Sequence, residues 1–215
     1  MIKADLHIHT AYSMDCNTPL EQIIAHCVET GINCLAVADH GTIDGALKLK
    51  EMAPFTIIVA EEILTLSGEI IGLFLTEEVP SKMPAEEAIF QIKSQGGLVC
   101  IPHPYDSLRL SAFKSQKLNV IMPMVDIIEV FNSRSPFPNS SAKARQLAQR
   151  YSKPASAGSD AHTLAEIGSA YVEMPDFTGK DNFLGSLAQG KVFGRRSSFL
   201  VHFASTWTKF NKRSS

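Results

Sequence analysis

Residues 3–16 read KADLHIHTAYSMDC, in which two histidines one residue apart stand between two aspartates. Side chains of an extended segment alternate between two faces, so we expect Asp5, His7 and His9 to point one way and the intervening apolar residues the other. A strand with a carboxylate and two imidazoles on one face offers the ligands of a metal site. A chance pair of core histidines would give the same local pattern, so the wider sequence must distinguish the two.

The composition favours one ordinary domain. The 215 residues are 45% hydrophobic and 20% charged, with a formal net charge of -2, which gives no general electrostatic reason to expect nucleic acid as a partner. Residues 206–215, TWTKFNKRSS, are locally basic, and we interpret them as a solvated terminus. The chain starts without a basic and apolar leader and contains no apolar run of about 18 residues. We therefore expect a soluble, cytoplasmic protein without membrane contact, of unspecified oligomeric state.

Short apolar runs alternate with helical patterns along the chain. Helices are expected at 18–31, 43–52, 83–96 and 139–152, and a hairpin turning at Ser67 and Gly68 extends the third strand. The expected strands cover 2–9, 32–40, 55–63, 97–104, 125–132, 153–162 and 169–174. Such alternation favours parallel βαβ units, and about seven of them favour a closed barrel over an open sheet.

Polar residues end six of these strands in succession. They are His7 and His9, Asp39 and His40, Glu61 and Glu62, His103, Glu129 and Asn132, and Asp160 and His162. In a parallel barrel the carboxyl ends of the strands gather on one face. Any one of these residues could be a hydrogen-bonded structural residue, but several acids and imidazoles in one cavity are costly without compensating cations. We therefore predict a metal site with more than one ion.

The ligand types narrow the choice of metal. Imidazole and carboxylate without a CxxC thiolate pair suit Zn²⁺, Mn²⁺ or Fe, and they argue against a closed cysteine-rich structural zinc site. Eight or more ligands exceed what one ion can use, so two or three divalent ions with bridging carboxylates are expected. Such clusters activate water and hold both the attacking and the leaving oxygen of a phosphoryl displacement.

The motifs DLHIHT (5–10), ADHGT (38–42), PHP (102–104) and GSDAH (158–162), with the glutamate before Ile63, resemble those of the PHP family, named for polymerase and histidinol phosphatase proteins. The resemblance covers roughly residues 3–165 of a single domain spanning 1–215. It implies an α/β fold, a distorted (β/α)7 barrel, with two or three metals at the C-terminal ends of the strands. It also implies hydrolysis of phosphoesters by a metal-bound hydroxide.

Carried over position by position, the resemblance implies a set of metal ligands, among which Asp160 and His103 are the most critical. Asp39 is implied as a residue that supports His40. Asn132 stands where some three-metal members have a histidine, so a third ion is expected to be weakly held or absent. The implied ligands are His7, His9, Asp15, His40, Glu62, His103, Asp160 and His162, with Asn132 as an additional candidate.

The predicted function is hydrolysis of a small phosphomonoester, such as a nucleotide, a sugar phosphate or histidinol phosphate. The alternatives are a phosphodiesterase or exonuclease on short nucleic acid, and a non-catalytic scaffold stabilised by metal. A hydrolase of C–N bonds is disfavoured because no lysine stands at a strand end to bridge two metals. Among the arginines, Arg134 is the best candidate for phosphate binding, ahead of Arg109, Arg195 and Arg196.

Overall fold

A computed structural model describes residues 1–113, 115–198 and 212, with residues 115 and 116 described by their backbone alone. The strands are β1 (Ile2–Ile8), β2 (Cys34–Val37), β3 (Thr56–Leu64), β4 (Glu69–Leu73), β5 (Leu98–Ile101), β6 (Ile127–Asn132), β7 (Ala155–Gly158), β8 (Ala170–Met174) and β9 (Lys191–Gly194). The α-helices are α1 (Leu20–Thr30), α2 (Asp44–Met52), α3 (Ala85–Ser94), α4 (Ser115–Ile121), α5 (Pro138–Arg150) and α6 (Lys180–Ala188). Single 3-10 turns occupy Met122–Met124 and Leu164–Glu166.

The strands form one sheet in the order β7-β6-β5-β4-β3-β2-β1-β8-β9. Past the end of β7, the backbone N–H of Asp160 donates to His7 O at 2.7 Å, and the N–H of His9 donates to Ala161 O at 3.0 Å. These bonds bring β7 back to β1, so the sheet is nearly closed into a barrel. The predicted α/β barrel is confirmed to this extent.

A strict (β/α)7 repeat is not confirmed. The pairs β1–β2, β2–β3, β5–β6 and β6–β7 are parallel, but β4 runs antiparallel to both of its neighbours and β8 runs antiparallel to β1 and β9. The hairpin between β3 and β4 is the reason for the first departure, because two strands joined by a tight turn must be antiparallel.

Strands β1 to β7 are buried on both faces over most of their length, as a barrel surrounded by helices requires. The edge strand β9 is largely exposed. One cluster of buried side chains contains Ala4, Leu6, Ala36, Ala38, Ile58 and Ala60, and it forms the interior layer. A second cluster takes the alternate strand residues together with the inner faces of the helices, among them Leu35, Val37, Ile57, Val59, Ile23, Leu49, Ile89 and Ile92. This packing leaves the carboxyl ends of the parallel strands as the place where polar side chains collect.

The simple alternation predicted for the first strand is interrupted. The β1–β2 register shifts between Asp5 and Ile8, and the Asp5 carboxylate accepts the backbone N–H groups of Ser159 (2.8 Å) and Gly168 (2.9 Å). Asp5 therefore ties the chain after β7 to β1, a role that the simple alternation did not predict.

Some predictions fall on residues outside the described ranges or concern properties that the fold does not test. Apart from Lys212, the basic segment 206–215 lies outside the described residues, as does His202. Within the described ranges, none of the helices combines the length and the apolar character needed to cross a bilayer. A single domain over 1–215 and a cytoplasmic location stay predictions.

Candidate metal centre

Imidazoles and carboxylates converge at the carboxyl ends of the strands. The ligand atoms fall into overlapping groups, and within each group they lie within 4.8 Å of one another. The groups are His9, Asp15, His40 and His162; His7, Glu62 and His103; His7, His9 and Asp160; and His40, Glu62 and Glu69. All eight ligands carried over from the family motifs therefore belong to one continuous cluster.

Glu62 lies at the middle of this cluster. Its Oε1 is 2.9 Å from Nε2 of His103, and its Oε2 is 3.3 Å from Nε2 of His7. The same Oε2 lies 3.5 Å from Nε2 of His9 and 3.6 Å from Nε2 of His40. A carboxylate that faces four imidazoles with its two oxygens is placed to bridge cations.

Asp15 forms the more open end of the centre. Its Oδ2 lies 3.3 Å from Nε2 of His162 and 3.4 Å from Nε2 of His40. The Ser13 hydroxyl donates to Asp15 Oδ1 at 2.8 Å. The side chains of His40 and Asp15 are 18% and 11% exposed, whereas those of His9 and Glu62 are fully buried. Solvent therefore reaches the centre at its Asp15 end.

Glu129, in the middle of β6, holds two of the candidate ligands. Its Oε1 accepts the Nδ1–H of His7 at 3.1 Å, and its Oε2 accepts the backbone N–H of His103 at 2.6 Å. The small size of Gly158 allows this contact, since a Cβ there would lie 2.2 Å from His7 Cβ and 2.9 Å from Glu129 Oε1. A carboxylate on the outer nitrogen fixes the tautomer of a ligating histidine and turns its other nitrogen inward.

Two ligands sit on backbone that L-residues rarely adopt. The φ angles of His103 and Asp160 are +30° and +56°, a conformation that costs on the order of 1–3 kcal/mol per residue. Hydrogen bonds hold both positions, because the N–H of His103 is bound by Glu129 and that of Asp160 by His7 O. Such backbone directs the two side chains into the cluster.

The electrostatics of the cluster fit cations. Burial lowers the pKa of His40, but the hydrogen bond to Asp15 and the charge of Glu62 outweigh it and raise that pKa to about 10. The imidazoles of His7 and His40 offset the burial of Glu62, and they hold its pKa well below the usual value. Among the described residues, both ring nitrogens of His9 and Oδ1 of Asp160 have no hydrogen-bond partner. Bound metal ions would satisfy buried nitrogen and oxygen lone pairs of this kind that have no hydrogen-bond partner.

Glu69 belongs to the cluster, although it was not among the predicted ligands. Its Oε2 lies 3.7 Å from Nε2 of His103 and accepts the Ser111 hydroxyl at 2.6 Å. The prediction considered only strand ends, but β4 is antiparallel, so its first residue lies at the same edge as the end of β3. An acid directly after the predicted hairpin turn was the available signal.

Among the described residues, the Asp39 carboxylate has no hydrogen bond to His40, the residue that it was predicted to support. Its carboxylate accepts the backbone N–H and the hydroxyl of Thr10, both at 2.6 Å. Thr10 directly follows His9, so Asp39 secures the end of the first motif. The tight β2–α2 connection accounts for the difference, because Gly45 lets Asp39 and Thr10 pack against α2, and a Cβ there would lie 2.3 Å from Asp39 Oδ2.

Asn132 and Arg134 lie beside the cluster in orientations that do not favour the predicted roles. Asn132 donates its amide N–H groups to Glu129 (3.0 Å) and Asp160 (3.2 Å), while its oxygen accepts the backbone N–H of Arg134. The buried Arg134 guanidinium lies against His162 and is 3.4 Å from Glu166. Metal binding by Asn132 and phosphate binding by Arg134 stay predictions.

Comparisons with known proteins agree with this geometry. A family model described as the PHP domain matches residues 5–89, and one described as PHP-associated matches residues 138–192. The uncharacterized protein MJ0417 of Methanocaldococcus jannaschii is 35% identical over 196 residues, which cover 86% of this chain and 79% of that protein.

Two solved structures share the fold at low identity. One is a two-domain protein from Bacteroides vulgatus that contains a predicted PHP-like metal-dependent phosphoesterase (TM-score 0.72, 16% identity, 98% of this chain and 69% of that chain). The other is PsfC from Pseudomonas syringae PB-5123 (TM-score 0.67, 14% identity, 99% of this chain and 98% of that chain). The motif residues gather at one face of the barrel, and the two family models match the N-terminal and C-terminal parts of the sequence. This chain belongs to the PHP family.

Proposed function

We propose that the protein is a metal-dependent phosphomonoesterase that uses two or three divalent cations, Mn²⁺, Zn²⁺ or Fe. The observation that carries this proposal is Glu62, a buried carboxylate with four imidazoles around its two oxygens. One cation cannot use this many ligands, and imidazole with carboxylate suits these three metals. A bridged set of cations is typical of enzymes that act on phosphate esters.

Cations bound at these residues would supply a water that is nucleophilic at neutral pH and would neutralise charge on the phosphoryl group. The protein itself holds the side chains of the site in position. Glu129 orients His7, the left-handed backbone directs Asp160 inward, and burial keeps the charged side chains in an environment where electrostatic interactions are strong.

The charge of the site favours a monoester over a diester. A monoester carries up to two negative charges near neutral pH, whereas a diester carries one, so a cluster of cations binds the monoester more strongly. An arginine near the cluster would add to this preference by binding phosphate oxygens. The guanidinium of Arg109 forms an ion pair with Asp160. When cations neutralise Asp160, Arg109 becomes available to bind phosphate oxygens. The formal net charge of -2 gives no support to a long nucleic acid.

The test compares hydrolysis of p-nitrophenyl phosphate and bis-p-nitrophenyl phosphate with Mn²⁺, Zn²⁺ or Fe²⁺. The variants are Asp160→Asn, which tolerates the left-handed backbone, and His103→Gln. His26→Gln serves as the matched control, because His26 lies on α1 and its ring contacts Ile167 O at 3.2 Å, outside the cluster.

We expect faster turnover of the monoester, a loss of at least about 100-fold in kcat for both site variants, and normal turnover for the control. Faster turnover of the diester would instead favour the phosphodiesterase. Equal, negligible rates for all proteins with every metal would favour the non-catalytic scaffold.

A further inference from the structure

A lysine far along the sequence binds the loop that carries Asp15. The ammonium of Lys212 donates to the backbone carbonyl oxygens of Ala11 (2.8 Å), Ser13 (2.8 Å) and Cys16 (2.7 Å). An ammonium has three donors, and all three are used on this one loop. Lys212 also lies outside the two ranges that match the family models.

The same loop holds one end of the metal centre. The Ser13 hydroxyl donates to Asp15 Oδ1 at 2.8 Å and lies 3.4 Å from the backbone N of His40. The other oxygen of Asp15 faces His40 and His162. Ser13 thus binds Lys212 through its carbonyl oxygen and positions the candidate ligand Asp15 through its side chain.

Three converging carbonyl oxygens repel one another unless a cation or donor lies between them, since each is the negative end of a peptide dipole. Lys212 supplies that positive charge and fixes the relative positions of residues 11, 13 and 16. Asp15 lies inside this span, so its carboxylate is held toward His40 and His162 with less conformational freedom.

We propose that Lys212 is a positioning residue for the Asp15 end of the metal centre and raises the affinity for the cation held by His9, Asp15, His40 and His162. The inference rests on the metal centre of the proposed function, although it does not depend on which ester is hydrolysed. The direction of the effect of Lys212 on metal affinity is diagnostic, because a lysine that acted only through its charge would repel a nearby cation and lower the affinity.

The experiment titrates the metal-free full chain with Co²⁺, following stoichiometry and the visible absorption spectrum. The proteins are the wild type, Lys212→Met, Lys212→Arg and Asp15→Asn, together with the double variant of Lys212→Met and Asp15→Asn. Lys50→Met, at an exposed position on α2, is the control for loss of a surface lysine. The thermal unfolding temperature of each metal-free protein is recorded as well.

For Lys212→Met we expect about a tenfold loss of affinity for one ion, with the binding of the others unchanged. This is what the loss of a residue that orients a ligand typically costs. Lys212→Arg should recover part of the loss because it keeps the charge and several donors. In Asp15→Asn the same ion should be lost, and adding Lys212→Met should then have no further effect.

Unchanged or tighter Co²⁺ binding by Lys212→Met would overturn the proposal. So would an equal weakening of all ions together with a lower unfolding temperature of the metal-free protein, which would indicate general destabilisation. Hydrolysis is not measured in this experiment, so a failure of the proposed function would leave its result intact.

Discussion

The carboxylate of Glu129 lies 3.1 Å from Nδ1 of His7 and leaves Nε2 of the same ring facing Glu62 at 3.3 Å. One glutamate thus decides which nitrogen of the histidine faces the metal centre. Both groups are buried, so the pair is shielded from competing water.

We expect Glu129→Gln to weaken binding of Mn²⁺ by about 10- to 100-fold, because the amide removes the charge that fixes the tautomer of His7. Competitive titration against a fluorescent chelator measures this affinity. Glu51→Gln, at an exposed position on α2, is the control and should bind Mn²⁺ like the wild type. Equal affinities for Glu129→Gln and Glu51→Gln would show that His7 needs no such partner.

Variants of three glutamates at or near the centre should differ in the number of metal ions bound per chain. Glu62→Gln removes the carboxylate that faces four imidazoles, so we expect the loss of more than one ion per chain. Glu69→Gln should lose at most one, since Glu69 contacts the cluster only at its edge. Glu61→Gln is the matched neighbour and should keep all ions, because the Glu61 carboxylate turns away and accepts the N–H of Val79.

Metal content per chain is measured by plasma mass spectrometry after loading with excess Mn²⁺ and desalting. Full occupancy in Glu62→Gln would contradict the bridging role, and full occupancy in Glu69→Gln would show that this carboxylate only supports His103.

Phosphate binding should depend on Arg109 more than on Arg134. Arg109 contacts Asp160 and has a side chain that is 19% exposed, whereas the Arg134 side chain is only 3% exposed and is engaged by Glu166 and His162. We expect Arg109→Gln to raise KM for a phosphomonoester about tenfold or more. The inhibition constant of vanadate provides a second readout of the loss.

Arg134→Gln should act mainly on stability, because it leaves Oε1 of the buried Glu166 without the guanidinium that lies 3.4 Å from it. A lower unfolding temperature with little change in the inhibition constant of vanadate is the expected result for this variant. The reverse pattern, with weak vanadate binding in Arg134→Gln and normal binding in Arg109→Gln, would support the predicted assignment of phosphate binding to Arg134.

The parts of the site that follow from local pattern were predictable. Strand ends marked by His, Asp and Glu indicated seven of the eight candidate ligands, because a parallel strand places its carboxyl end at the active face. The eighth, Asp15, lies in the loop after β1 and was implied by the family motif. Glu69 escaped prediction because its position depends on the antiparallel pairing of β4, which is a property of two strands together.

The side-chain partners of Asp39 and Arg134 come from other segments of the chain. The alternation of residues within one strand carries no information about such partners. Helices α4 and α6 and strand β9 were also not predicted. The segment of α6, KDNFLGSLA, contains a glycine and begins with polar residues, so its helical pattern is weak.

The buried Glu61, next to Glu62, gives the metal-free protein a measurable pH dependence. Burial raises the pKa of Glu61 to about 7, against an ordinary value of 4.5. A carboxyl group with a raised pKa stabilises the fold below its unfolded pKa, and this contribution is lost as the pH rises through the folded pKa. The loss expected by pH 8 is on the order of 3 kcal/mol.

In Glu61→Gln the side chain cannot ionise, so the free energy of unfolding should fall less between pH 5 and pH 8 than it does in the wild type. Urea unfolding at four pH values in this range, with a chelator present, measures the difference. Glu51→Gln should parallel the wild type, because an exposed carboxylate has nearly the same surroundings in the folded and unfolded chain. Parallel curves for Glu61→Gln and the wild type would mean that Glu61 titrates normally despite its burial, and that water reaches its carboxylate.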